Sequence, residues 1–441
     1  MAAATKRHFR TFASRYGMVF VLLLLVVVFS VLTLEKSMPT GQVAGRQLAR
    51  TILKQNDRAV VVVAAGESPD DRQLVGTLRE QLSHTDARLL QASNGDAVAA
   101  RKAIETALSE GISITHLALS GTAQRWTVFD QYDETRLGQR VVPRESTWPV
   151  FARKQNLINI ANNTAIYAII AVGMTMVIIT GGIDLSVGSL VALSAVTAAV
   201  VVRDNGGFDA STGTLLMAAV ASLAICGAAG GFLGIMVTRF HIPPFIVSLS
   251  LMQIARGLAF RVTDGKSVAA IPERWNAFGG GSLMGVPLPV LLMIGLYAAA
   301  HILMSHTSFG RYVYAVGGNQ EAARLCGVPV RRVLVAVYVI CGTLAGVAGL
   351  ILSSKLRSGD PKIGNMLELE VISAVVVGGT SLMGGEGRIM GTLIGAFIIA
   401  VISNGMNLLS VDSYDQRIIM GAVLLAAVLI DNSKRFRLTG G

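Results

Sequence analysis

Long apolar runs with few charges dominate the pattern of this 441-residue chain, rather than alternation or a 3.6-residue stripe. They lie at 17–34, 158–180, 187–202, 214–237, 243–260, 286–304, 333–353, 367–380, 391–410 and 418–430. A helix needs about 20 predominantly apolar residues to cross the hydrocarbon core, and one that is apolar all round is buried or faces lipid. The pattern predicts an all-α polytopic membrane bundle of about ten transmembrane helices. Several runs are shorter than a full crossing, so some helices are expected to be broken or re-entrant.

Between the first and second runs the periodicity changes. Arg58 to Ala64, Ala87 to Ala92 and Ile114 to Leu119 read as strands, and Asp70 to Leu82 and Asp96 to Glu110 as amphipathic helices. Asp96 is placed to cap the second helix at its start and Gly111 at its end. A βαβαβ order implies a small parallel sheet covered by helices. The expected domains are 1–37, a cytoplasmic tail and first transmembrane helix; 38–148, an extracytoplasmic α/β insert; 149–432, the transmembrane core; and 433–441, a cytoplasmic tail. The insert has no nucleophile and base pair, and His84 and His116 stand alone in it, which favours binding or docking over catalysis.

Composition narrows the class. Only 15% of residues are charged against about 25% in soluble proteins. The net charge is +11, yet 35–147 holds 14 basic and 14 acidic residues, so the excess belongs to the membrane flanks. These basic residues lack the aromatic interleaving of a nucleic-acid surface, and no nucleic-acid partner is expected. Lys6, Arg7, Arg10 and Arg15 before the first run, Arg311, Arg324, Arg331 and Arg332 in one loop, and Lys434, Arg435 and Arg437 in the tail point to cytoplasmic N- and C-termini. Lys355, Arg357 and Lys362 fall on the predicted outer side and disagree. Cys226, Cys326 and Cys341 are scattered and suggest neither a disulfide framework nor a metal site. No metal or other cofactor is expected.

Polar breaks inside the apolar runs carry the functional signal. Gly181-Gly182-Ile183-Asp184-Leu185-Ser186-Val187-Gly188-Ser189 sets a carboxylate between two spans. Non-helical backbone there must face protein or water, and an intramembrane acid marks a pathway or a structural pivot. Asp184 can also cap the helix that follows. A second break, Gly378 to Arg388, again separates short apolar runs, as discontinuous helices do around transport sites. Gly317 to Gly327 reads as a short helix between glycines, either a solvated loop helix or a rigid knob for a cytoplasmic motor. The only Gly-Lys-Ser, at 265–267, has Phe260 where a phosphate loop needs its first glycine, so any ATPase is a separate subunit. One rival reading is an ion-gradient-driven secondary transporter of a small polar solute using Asp184, Glu368 and Glu370. The chain is sparse in the buried ionisable residues that proton relays use. A membrane sensor is the other rival, and it lacks a cytoplasmic output domain.

In Thr180 to Ser189, Tyr314 to Gly327, Val376 to Gly395 and Asn404 to Leu409 the chain resembles the permease subunits of bacterial carbohydrate ABC importers, the ribose, xylose and galactose type. The resemblance covers the first span and about 156–432. It implies a permease in the bacterial inner membrane, importing a monosaccharide by alternating access and hydrolysing no ATP itself. Its implied partners are a second permease subunit (a copy or a paralogue), a cytoplasmic ABC ATPase and an extracytoplasmic sugar-binding protein. It further implies that Gly318, Asn319, Glu321, Ala322, Arg324 and Gly327 belong to an ATPase-coupling loop. The expected substrate path or pivot comprises Gly181, Gly182, Asp184, Ser186, Ser189, Gln253, Asn404 and Asn407. The 38–148 insert departs from the family, whose members pass almost directly from the first span to the second.

Overall fold

The computed structural model describes residues 2–269 and 271–439, and within them the side chains outside 2–16, 37, 91–94, 134, 146 and 430–439. The basic flank Lys6 to Arg15 and the tail Lys434 to Arg437 therefore lie, as side chains, outside the described residues. The chain divides into two compact units, Leu34–Pro149 on one hand and Met1–Thr33 with Val150–Gly441 on the other. The first helix, α1 (Ala2–Leu32), contains the apolar stretch Gly17–Leu32.

The smaller unit runs β1 (Leu34–Ser37), α2 (Gly41–Gln55), β2 (Val60–Ala65), α3 (Pro69–Ser83), β3 (Arg88–Asn94), α4 (Ala97–Ser109), β4 (His116–Leu119), α5 (Glu134–Leu137), β5 (Gln139–Val141) and β6 (Ser146–Pro149). Four strands pair in parallel in the order β3-β2-β4-β5. β2 is a nearly continuous buried valine and alanine run, as a strand covered on both faces must be. Leu48, Ile52, Leu74 and Leu78 fill one face of the sheet; Ile104, Leu117 and Phe129 fill the other. Asp96 accepts a hydrogen bond from the Ala99 amide at 2.9 Å and so caps α4, while Gly111 takes φ +73° just past its end. α2 carries no long apolar run, since four of its six buried residues are Gly41, Ala44, Gly45 and Ala49, but with Leu48 and Ile52 they recur at helical spacing opposite a polar face, a period that sequence reasoning passed over. Gly45 lies against the Leu74 carbonyl and Thr77, where a larger residue would separate α2 from α3. β1 and β6 pair antiparallel from Leu34↔Pro149 to Ser37↔Ser146, bringing the two ends of the unit together.

The larger unit continues with α6 (Lys154–Ile179), α7 (Val187–Asp204), α8 (Thr212–Phe240), α9 (Pro244–Thr263), α10 (Asn276–Gly280), α11 (Leu288–His306), α12 (Ser308–Gly318), α13 (Gln320–Leu325), α14 (Val330–Leu356), α15 (Leu367–Val377), α16 (Ile389–Leu408) and α17 (Ser413–Thr439). Among the described residues, seven of these helices (α6, α7, α8, α9, α11, α14 and α16) are long and apolar enough to cross a membrane. The three other apolar runs fall on α1, α15 and α17. With 11 residues, α15 spans about 16 Å, roughly half the hydrocarbon thickness, and is a half-helix.

Helix α6 is the centre of the bundle: 89% of its apolar window is buried, against 28% for α8 and α9. Lipid offers apolar side chains no reason to leave it, so helices in a membrane associate through close packing and interhelical hydrogen bonds. Here glycines provide the closeness. Gly342 and Gly346 on α14 face Cys226 and Gly230 on α8, and Gly230 and Gly234 in turn lie against the Tyr338 carbonyl and Val335. Gly349 lies against Val191 and Ser194 on α7, and Gly173 on α6 against Cys341. The Ser194 hydroxyl donates to the Gly346 carbonyl at 2.7 Å and the Ser222 hydroxyl to the Ser194 carbonyl at 3.0 Å, tying α8, α7 and α14 in series.

Candidate functional site

Three glycine pairs, far apart in sequence, meet backbone to backbone. α6 ends at Ile179, after which Gly181 takes φ +80°. The Gly385 amide donates to the Ile179 carbonyl at 2.8 Å. A methyl group on Gly384 would sit 3.0 Å from the Gly317 carbonyl oxygen and 3.1 Å from the Gly181 nitrogen, and one on Gly317 would overlap the Ile179 carbonyl. The Tyr314 hydroxyl donates to the Gly387 carbonyl at 2.8 Å and holds α12 to the same loop. The end of α6, the end of α12 and the 378–388 break thus form one junction. Gly384 and Gly385 have φ of +85° and +76°, open to glycine at little strain.

Asp184 lies beyond this junction and is fully buried. α7 begins at Val187 rather than at Leu185, and its N-cap residue is Ser186. Asp184 therefore does not cap the helix itself. Its Oδ1 accepts from the Ser186 amide at 2.8 Å and the Ser186 hydroxyl at 2.6 Å, a local turn that fixes the residue which starts α7. Oδ2 accepts from no N–H or O–H group among the described residues, the Cys341 thiol lying beside the carboxylate instead, and the neighbouring Tyr338 hydroxyl likewise makes no hydrogen bond; a methyl group on Gly182 would strike that hydroxyl. Asp184, Ser186, Gly181 and Gly182 line neither the space bordered by Asn404 and Asn407 nor the one bordered by Ser189 and Gln253.

The junction continues directly into α13. Asn319, in extended conformation, caps it by accepting from the Ala322 amide at 2.9 Å. Ala323 is the buried anchor, while Glu321, Ala322, Arg324 and Leu325 face outward. Glu321 and Arg324 pair at 2.8 Å, each more than two-thirds exposed. Gly327 at φ +81° turns the chain toward α14. Gly318 has open space around it.

The remaining predicted residues divide between two cavities. Asn404 and Asn407 border a space of about 440 Å³ between α6, α15, α16 and α17, together with Asn163, Tyr167, Glu370 and Arg417. Asn404 exchanges amide hydrogen bonds with Asn156 at 2.9 and 3.0 Å, and Asn407 accepts from Gln416 at 2.8 Å, so both are engaged in holding helices together. Ser189 and Gln253 border a second space of about 300 Å³ beside α7 and α9. Arg256, Lys362, Asn365 and Glu368 share it. Sequence reasoning passed over Arg256, although an arginine in an otherwise apolar run is itself a signal.

A bundle of span-length helices with glycine-broken half-helices and a small outward-facing helix at the junction defines a multi-pass membrane permease. Residues 156–428 match the family described as "Branched-chain amino acid transport system / permease component", and the chain belongs to that family. It is 45% identical over 291 residues to the ribose import permease protein RbsC of Escherichia coli K12, an alignment covering 65% of this chain and 88% of that protein. Against RbsC of Bacillus subtilis it is 42% identical over 288 residues, 65% of this chain and 87% of the relative. Against the L-arabinose ABC transporter permease protein AraH of Azospirillum brasilense it is 38% identical over 289 residues, 66% and 83% of the two chains. No solved structure matches the chain.

Proposed function

We propose that this chain is the transmembrane subunit of an ATP-driven importer that moves a monosaccharide by alternating access, with ATP hydrolysed by a separate cytoplasmic subunit. The observation that carries the reading is the 45% identity to a ribose import permease across 88% of that protein. The branched-chain amino acid wording of the family is broader than the relatives, which are pentose permeases by name.

In this reading Glu321, Ala322 and Arg324 on α13, flanked by Asn319, Gly318 and Gly327, form the contact with the ATPase. The rigid glycine junction behind α13 supports that role, because a push on the helix would reach the ends of α6 and the 378–388 break without passing through flexible side chains. Asp184 acts as a pivot at the start of α7 rather than as a substrate contact. Both termini are cytoplasmic, ten segments cross the membrane, with α15 and the non-helical stretch before it together making one crossing, and 38–148 faces outward. A second permease subunit and an extracytoplasmic sugar-binding protein complete the assembly, and the insert docks or partly replaces that binding protein.

The test is copurification from native membranes followed by an ATPase assay with D-ribose, L-arabinose, D-xylose and D-galactose. A bound ATPase whose turnover rises with one of these sugars is the expected result. A lone permease with gradient-driven, ATP-independent uptake in vesicles would replace this reading with a secondary transporter.

A further inference from the structure

Between α14 and α15 the backbone leaves the helical path and runs along α7. Gly359 packs on Ala195 and Ala199, and Gly364, with φ +68°, packs on Gly188 and Val191. From the Ala195–Ala199 level of α7 to the Gly188–Val191 level is about two helical turns, so this turn-rich segment descends about 10 Å beside a membrane-span helix. Lys362 travels with it, which accounts for a basic residue that disagreed with the simple inside-positive pattern. Irregular backbone at such depth must be satisfied by protein or border a water-filled space. Arg256 on α9 does the first, donating to the carbonyls of Pro361 at 2.8 Å, Ile363 at 2.7 Å and Gly364 at 3.3 Å. The 300 Å³ cleft does the second.

Apart from Arg256, most of the cleft's polar groups are uncommitted. Ser189 is 1% exposed, and its hydroxyl has no partner among the described residues. The side chains of Gln253, Lys362 and Asn365 make no hydrogen bond or ion pair within the described residues, in contrast to Asn404 and Asn407 in the larger cavity, and the Glu368 carboxylate has only its own backbone amide and the charge of Arg256 for company. Glu368 is held against Gly188, where any larger residue would strike its carboxylate. Phe260 adds one aromatic wall. Two amides, a hydroxyl, a carboxylate and two cations converge in a space at the small end of ligand sites. A compact ring of hydroxyls, each able to donate and to accept, suits that mixture. A free anion would face Glu368, and a free cation would face Arg256 and Lys362.

We propose that this cleft, with Ser189, Gln253, Asn365 and Glu368 as hydrogen-bonding groups and Arg256 as the brace of its unwound wall, is where the permease itself binds and selects a single monosaccharide. The proposal rests on the importer reading and assigns a substrate site to it. It moves recognition away from Asp184 and from Asn404 and Asn407.

The experiment uses the complete complex in proteoliposomes, measuring uptake of D-ribose, L-arabinose, D-xylose and D-galactose, with L-leucine as an alternative substrate. Glu368→Gln and Gln253→Leu should each lower uptake of the preferred sugar at least about tenfold and change its ratio to the next-best sugar, as expected when a buried polar partner is removed. A folding defect would depress all sugars in proportion. Should a variant lose all uptake, Gln253→Cys on a Cys326→Ser background decides: alkylation slowed by the preferred sugar supports the site, and alkylation indifferent to it removes the site. Variants within twofold of wild type in rate and selectivity would overturn the cleft and leave the importer standing. A wild-type complex that imports L-leucine and none of the four sugars would overturn the importer reading itself.

Discussion

A single methyl group separates two neighbouring glycines in consequence. On Gly317 it would overlap the Ile179 carbonyl, whereas Gly318 has nothing within 4 Å. Overpacking of this kind typically costs about 1–3 kcal/mol. Gly317→Ala should lower the melting temperature of the detergent-purified protein and abolish sugar uptake, while Gly318→Ala should leave the melting temperature unchanged. Equal melting temperatures for the two would contradict a close-packed junction. The sequence made both glycines visible as punctuation around a short helix, but nothing in Gly317-Gly318 distinguishes them. The difference comes from Ile179, 138 positions earlier. Asp184 is a similar case, since its charge between two spans marks it as special from the sequence, while its bonding to Ser186 and its separation from both cavities depend on packing.

Among the elements, α13 is short, capped by Asn319 and anchored by Ala323, with a solvent-facing Glu321–Arg324 pair. Exposed pairs contribute at most about 1 kcal/mol, so their removal is not a folding lesion. The double substitution Glu321→Ala with Arg324→Ala should leave the melting temperature within a degree or two of wild type and sharply reduce sugar-stimulated ATP hydrolysis in the reconstituted complex. Full stimulation in that variant would exclude α13 as the coupling contact. The helix was legible because glycine at each end and an i, i+3 charge pair are local signals. The half-helix α15 was legible only as a short apolar run. Why it is short follows from the segment before it, a run of turns packed along α7 whose carbonyls of Pro361, Ile363 and Gly364 accept from Arg256.

At the scale of the whole molecule, the α/β unit enters and leaves through the paired strands β1 and β6. With those ends adjacent, residues 38–145 can be replaced by a short turn without pulling the two strands apart. The deletion variant should still insert and copurify with its ATPase, and it should lose sugar uptake if the unit docks or partly replaces a binding protein. Unchanged uptake at limiting sugar concentration would remove that role. The unit's alternating strands and helices were readable because each segment carries its own periodicity and its own caps, as at Asp96. Helix α2 was passed over although its helical period is local, because its buried stripe is mostly alanine and glycine and no run of large apolar side chains marks it.

Taken alone, the order of apolar runs, the charge they exclude and the placement of glycine determined a membrane bundle with an α/β insert and two broken regions. These are properties of short windows, in which solvation by lipid or water acts on each residue independently. Tertiary structure decided which glycines meet, which amides are engaged, and that Arg256, Gln253, Ser189 and Glu368 border one cleft. Those outcomes depend on contacts between residues up to 248 positions apart, as in the Asn156–Asn404 pair. Local sequence does not encode distances of that kind, because they emerge only when the helices have packed.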